Sequence, residues 1–75
     1  MMSPDERLVY MANQIARNLA AHGVDIAAAQ TADHITAYWD PRMRAHILAM
    51  PAPALEPIAA RAVEMLRSRV ASDAG

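Results

Sequence analysis

The dipeptide Asp40-Pro41, near the middle of a chain of 75 residues, constrains the fold more than any other feature. Pro41 disfavours helical geometry at the residue before it, so a helix arriving at Asp40 must stop there. The same proline suits the first position of a new helix, and Asp40 can cap that helix. The chain is therefore divided into short helices around a fixed corner. Trp39, its one tryptophan, precedes the corner, and Arg42, Met43 and Arg44 follow it.

Helix signals continue on both sides. Ser3 reads as an N-cap, Pro4 as the first helical residue and Glu6 as the partner in a capping box. Leu8, Met11/Ala12, Ile15 and Leu19 then recur on one face, with Arg7, Gln14, Arg17 and Asn18 largely outside it. Gly23 is expected to end this helix with a left-handed residue. A second helix is predicted from near Asp25, as its cap, to about Tyr38. Its stripe of Ala28, Ala32, Ile35 and Trp39 is small until the C-terminal end. The third helix starts at Pro41, carries Met43, Ile47 and Met50 on one side and ends before Pro51. Pro51-Ala52-Pro53 reads as a short stiff connector. The last helix is predicted from near Pro57 to about Val70. Ala59, Val63, Leu66 and Val70 share one face, while Arg61, Glu64, Arg67 and Ser68 cover much of the rest. Ser72 to Gly75 reads as a frayed tail. The predicted fold class is all-α. One domain, residues 1–75 and ordered over about 3–70, forms a small bundle of three to four short helices.

Composition limits what such a bundle can do alone. The apolar fraction is 55%, but eighteen of those residues are alanine and phenylalanine is absent. Alanine favours helix while adding little core. A chain this short buries only about 60% of its unfolded surface. Without cysteine it has no disulfide, thiolate metal site or cluster ligand to compensate. Self-association into a homo-oligomer, or a larger partner, is expected to supply the remaining stability. The net charge of −1, with every basic residue an arginine, gives no electrostatic reason to expect nucleic acid or an anionic membrane. No apolar run approaches the ~18 residues of a membrane span. The acidic start, Met1 to Glu6, is unlike a signal peptide. A cytoplasmic protein is expected, and the lack of cysteine fits that.

Catalytic patterns are weak. His22, His34 and His46 lie twelve residues apart, unlike the four-residue spacing of metal-binding helices. Asp33 and Asp40 could act as acid and base, but so thin a fold can hardly enclose a dry pocket. Ser3, Ser68 and Ser72 lie near the chain ends, outside any nucleophile elbow. A helix-turn-helix reader would use Arg42, Arg44 and His46, yet Asp40 sits where a phosphate would bind. An independent enzyme is not expected.

The corner fits another task. Tryptophan, tyrosine and arginine dominate interface energetics, and arginine pairs bidentately with carboxylates. Tyr38, Trp39, Asp40, Arg42, Met43 and Arg44 are therefore the candidate partner-binding residues. Trp39 reads equally as a core hinge, with Met43 offering a sulfur–aromatic contact. An ion pair between Asp40 and Arg44, four residues apart, is expected to be weak. Arg42 has no obvious partner in the chain and reads as the anchor.

Met11-Ala12-Asn13-Gln14-Ile15-Ala16, then Asp33-His34-Ile35 leading into Tyr38-Trp39-Asp40-Pro41-Arg42-Met43-Arg44, resembles the delta subunit of NAD-dependent formate dehydrogenases. Leu55-x-Pro57 followed by Ala62-Val63-x-x-Leu66 is consistent with it. The resemblance runs from about Leu8 to Leu66. It departs where relatives carry bulky aromatics soon after the Ile15 position, and Tyr38 stands where many have phenylalanine. The resemblance implies an accessory, non-catalytic subunit of a cytosolic molybdenum enzyme, supporting assembly or stability. Its partners would be the alpha, beta and gamma subunits, carrying molybdopterin, iron–sulfur clusters, FMN and NAD, with no cofactor on this chain. Two alternatives are a transient maturation factor for the alpha subunit or its pterin cofactor, and a free-standing helical homodimer with a regulatory role.

Overall fold

Four helices follow one another in a computed structural model that describes residues 1–50 and 54–74, the last two by their backbone alone. Helix α1 spans Pro4–Leu19, α2 Val24–Tyr38, α3 Pro41–Ala49 and α4 Pro57–Ala74, with a 3₁₀ turn at Ala20–His22. No strand occurs among the described residues. The all-α bundle expected from the pattern is therefore the observed fold. The predicted connector Pro51-Ala52-Pro53 lies outside the described residues.

The start of α1 follows the sequence signal. The Glu6 amide donates to Ser3 Oγ at 3.1 Å, and the Ser3 amide donates to Glu6 Oε1 at 3.3 Å. This capping box satisfies amides that a helix start would leave open. The end of α1 differs from expectation. The Ala20 amide bonds the Arg17 carbonyl, tightening the chain into a 3₁₀ turn, Ala20–His22, that runs up to Gly23. Gly23 has φ 95° and ψ 153°, a region essentially confined to glycine. It caps the 3₁₀ turn, its amide donating to the Ala20 carbonyl at 3.1 Å, and also opens α2, since its carbonyl accepts the Ala27 amide at 2.8 Å. Asp25 is not the cap of α2. It sits in the first turn, where a carboxylate suits the helix dipole, and pairs with Arg61 at 2.5 Å.

The core is built largely from small residues. Among the described residues its buried apolar members include Ala12 and Ala16 of α1, Ala27, Ala28 and Ala32 of α2, and Ala59 and Ala62 of α4. Such surfaces let helix backbones approach closely, and α2 and α4 form the most extensive helix pair. The larger buried groups are Leu8, Ile35, Trp39, Ile47, Met50, Val63 and Leu66. Thr31 is also fully buried and satisfies its hydroxyl by donating to the Ala27 carbonyl at 2.7 Å.

Helix α4 runs through Ala74, so Ser72 to Ala74, expected to fray, continue the helix. Val70, assigned to its buried stripe, is 54% exposed, and Leu66 is the last core residue of that stripe. The arginines of α4 do more than cover a solvent face. Arg69 pairs with Asp33 of α2 at 2.9 Å, and Arg67 donates to the Leu48 carbonyl at 3.2 Å, closing the end of α3. Asn13 and Arg17 of α1 hold the approach to α4. Asn13 Oδ1 accepts the Glu56 amide at 2.9 Å, and Arg17 makes a two-pronged pair with the Glu56 carboxylate. No helix among the described residues is long and apolar enough to cross a membrane.

Candidate functional site

The corner between α2 and α3 is set by two consecutive extended residues. Trp39 has φ −83° and ψ 139°, and Asp40 has φ −71° and ψ 164°. Pro41 imposes the second of these conformations on the residue before it. Asp40 Oδ1 then accepts the Met43 amide at 3.0 Å, capping α3 as the sequence predicts.

Trp39 lies on the core side of the corner. It is only 5% exposed and packs in one cluster with Ile35, Ile47 and Leu66. Met43 is half-buried against the same cluster. Arg44 does not pair with Asp40. Its Nη1 donates to the carbonyl of Trp39 at 2.6 Å and to that of Thr36 at 3.1 Å. Those carbonyls belong to the open end of α2, where a cation is favoured by the dipole. Four of the six candidate residues thus build the corner.

The other two project from it. Tyr38 is 77% exposed, with its ring 4.7 Å from that of His34 at an interplanar angle of 44°. Arg42 is exposed and has no hydrogen-bond or ion-pair partner among the described residues. The two do not share one depression. Arg42, Asp40 and Met43 line an open cleft of about 450 Å³ whose opposite wall is the start of α1, with Pro4, Arg7, Leu8 and Met11. Tyr38 is not part of that lining.

Arg7 is the residue that pattern reading passed over, since it falls outside the apolar stripe of α1. The signal available was electrostatic. A cation near a helix start is opposed by the dipole, so its presence there calls for another reason.

The histidines are separately engaged. His22 Nδ1 lies 2.7 Å from Gln30 Oε1, His34 stacks on Tyr38, and His46 pairs with Asp5. Among the described residues no cluster of His, Asp or Glu could hold a metal ion. The exposed pair of Arg17 and Glu56 shifts both groups. The hydrogen bond from Arg17 holds the Glu56 carboxyl below its ordinary value, and the same bond raises Arg17. This is a helix-linking contact on the surface, remote in role from proton transfer.

No curated protein and no solved structure matches the chain. One family description does, that of the NADH-dependent formate dehydrogenase delta subunit FdsD, over residues 7–63. That span includes α1 from Arg7 onward, all of α2 and α3, and the first turns of α4. The segment Tyr38–Arg44 therefore lies inside the shared region, and on this match the chain belongs to the FdsD family of formate dehydrogenase delta subunits.

Proposed function

We propose that this chain is a non-catalytic accessory subunit that docks on the alpha, beta and gamma subunits of a cytoplasmic formate dehydrogenase and supports their assembly or stability. The family match over residues 7–63 carries the reading. It is supported by a surface that presents Tyr38 and Arg42 outward while the neighbouring Asp40 and Arg44 side chains bond backbone groups of the corner. Tyr38 and Arg42 make the contacts. Trp39, Asp40, Met43 and Arg44 hold the corner that aims them. On this reading molybdopterin, iron–sulfur clusters, FMN and NAD reside on the partner subunits; a chain without cysteine offers no thiolate to a cluster.

Purification of the active enzyme through a tag on this chain tests the proposal. Stoichiometric recovery of the catalytic subunits is expected, with molybdenum, and with lower yield or faster loss of formate-dependent NAD reduction when the chain is deleted. A purified active enzyme from which this chain is absent would move it to the class of transient maturation factors. An isolated chain that recovers only itself, as a dimer, would support a free-standing regulator instead.

A further inference from the structure

Among the described residues, Arg7 and Arg42 are the two arginines whose side chains have no partner. Arg17, Arg61, Arg67 and Arg69 form ion pairs, and Arg44 donates to carbonyls at the end of α2. The side chains of Arg7 and Arg42 have no hydrogen-bond or ion-pair partner among the described residues, and both line the same open cleft between the starts of α1 and α3. Each falls within the first four residues of its helix. The helix dipole opposes a cation there, so neither side chain is placed for the stability of its own helix. A residue that breaks a local rule with no compensating contact in its own chain is a candidate for contact with another.

The carboxylates show the complementary pattern. Asp5 pairs with His46, Asp25 with Arg61, Asp33 with Arg69, Glu56 with Arg17 and Glu64 with Arg67. Glu6 closes the capping box of α1, and Asp40 caps α3. Every carboxylate among the described side chains is therefore engaged, while two guanidinium groups are free. A second copy of the chain would have to share or break an existing contact to supply any carboxylate among the described side chains. An outside protein with Asp or Glu in an exposed segment would not.

The rest of the cleft narrows the partner further. Its lining is mainly apolar, contributed by Met2, Leu8, Met11 and Met43. Methionine surfaces adapt to varied apolar side chains.

We infer that this cleft seats an acidic, partly apolar peptide segment of a partner protein, with Arg7 and Arg42 pairing its carboxylates and the methionines covering its apolar residue. The inference rests on the subunit reading and gives the contact a chemistry. Bidentate guanidinium–carboxylate geometry would fix the register of the segment, which lysine at either position would not reproduce.

The test uses the full chain, tagged and co-expressed with the formate dehydrogenase subunits. The unaltered chain is expected to retain them, with retention falling as salt rises. R7Q/R42Q should weaken retention by about tenfold or more and flatten its salt dependence. R7E/R42E should abolish it, and R7K/R42K should restore only part. Glutamate near a helix start is favoured by the dipole, so loss of binding by R7E/R42E with unchanged helical circular dichroism cannot be assigned to misfolding. Cross-linking mass spectrometry of the unaltered complex should place Asp or Glu of a partner subunit against the first turns of α1 and α3. Undiminished retention of R7E/R42E overturns the inference while leaving the subunit reading intact. So does a cross-linked segment lacking acidic residues, or a fall in the mass of the isolated chain from dimer to monomer in that variant. Failure of the unaltered chain to retain any subunit overturns the subunit reading, and the inference with it.

Discussion

Arg44 closes the second helix by donating from Nη1 to the carbonyl of Trp39, 2.6 Å away. The bond is nearly local in sequence, yet it joins two helices, because Asp40 and Pro41 turn the chain between its ends. Arg42, two residues earlier, has no such bond among the described residues. Two arginines of one motif therefore have different roles.

That difference predicts different stabilities. Arg44→Ala leaves the Thr36 and Trp39 carbonyls to water and should cost about 1 kcal/mol, the usual net value of such a bond at a partly exposed site. For a chain of this size the expected fall in Tm is about 4–8 °C. Arg42→Ala should lie within about 0.5 kcal/mol of the unaltered chain. Thermal circular dichroism of the two variants separates the roles, and equal losses would contradict them.

Trp39→Ala should remove most of the stability of the isolated chain. Emptying a buried tryptophan site typically costs about 3–5 kcal/mol, which approaches all that a small single core supplies. Far-UV circular dichroism should show substantial loss of helix at room temperature, with Trp39→Phe much milder. A helical, cooperatively melting Trp39→Ala chain would show that the corner does not depend on this side chain.

The alanine faces of α2 and α4 predict sensitivity to added volume. Ala62 is fully buried between helices, and Ala62→Leu should cost about 1–3 kcal/mol through displaced backbones and strained rotamers. Ala37→Leu, at an exposed position of α2, should be close to neutral. Urea titration of both variants measures the contrast.

Acid should weaken the contact between α1 and the start of α4. The Glu56 carboxyl is lowered from its ordinary value of 4.5, first by the hydrogen bond from Arg17. A group lowered on folding contributes fully above its unfolded value and loses that contribution as pH falls through its folded value. The melting temperatures of the unaltered chain and Glu56→Gln should therefore differ at neutral pH and converge in acid below the folded value. A gap that stays constant with pH would mean that the pair adds nothing through its charge.

The features read from the sequence were those whose physics is local. The capping box of Ser3 and Glu6, the Asp40 cap and the helical start at Pro41 each depend on residues three or four apart. The stripe of Ala28, Ala32, Ile35 and Trp39 is buried as its period required. Local reading failed where two signals competed. Gly23 reads as the end of one helix, but it caps a 3₁₀ turn and opens the next helix as well. Asp25 resembled a cap but had a distant partner in Arg61. Asp40 and Arg44 had the spacing of an ion pair, but the carbonyls of α2 lay within reach of the guanidinium.

By itself the sequence determined an all-α chain broken at Asp40, with too little bulk for a large core, because helix propensity, proline geometry and side-chain volume act over a few residues. Only the tertiary structure decided that Trp39 turns inward, that Arg44 closes α2, and that Arg7 and Arg42 meet at one cleft without partners among the described residues. Those outcomes depend on how separate helices are brought together. No spacing along the chain encodes which arginine will find a carbonyl or a carboxylate there.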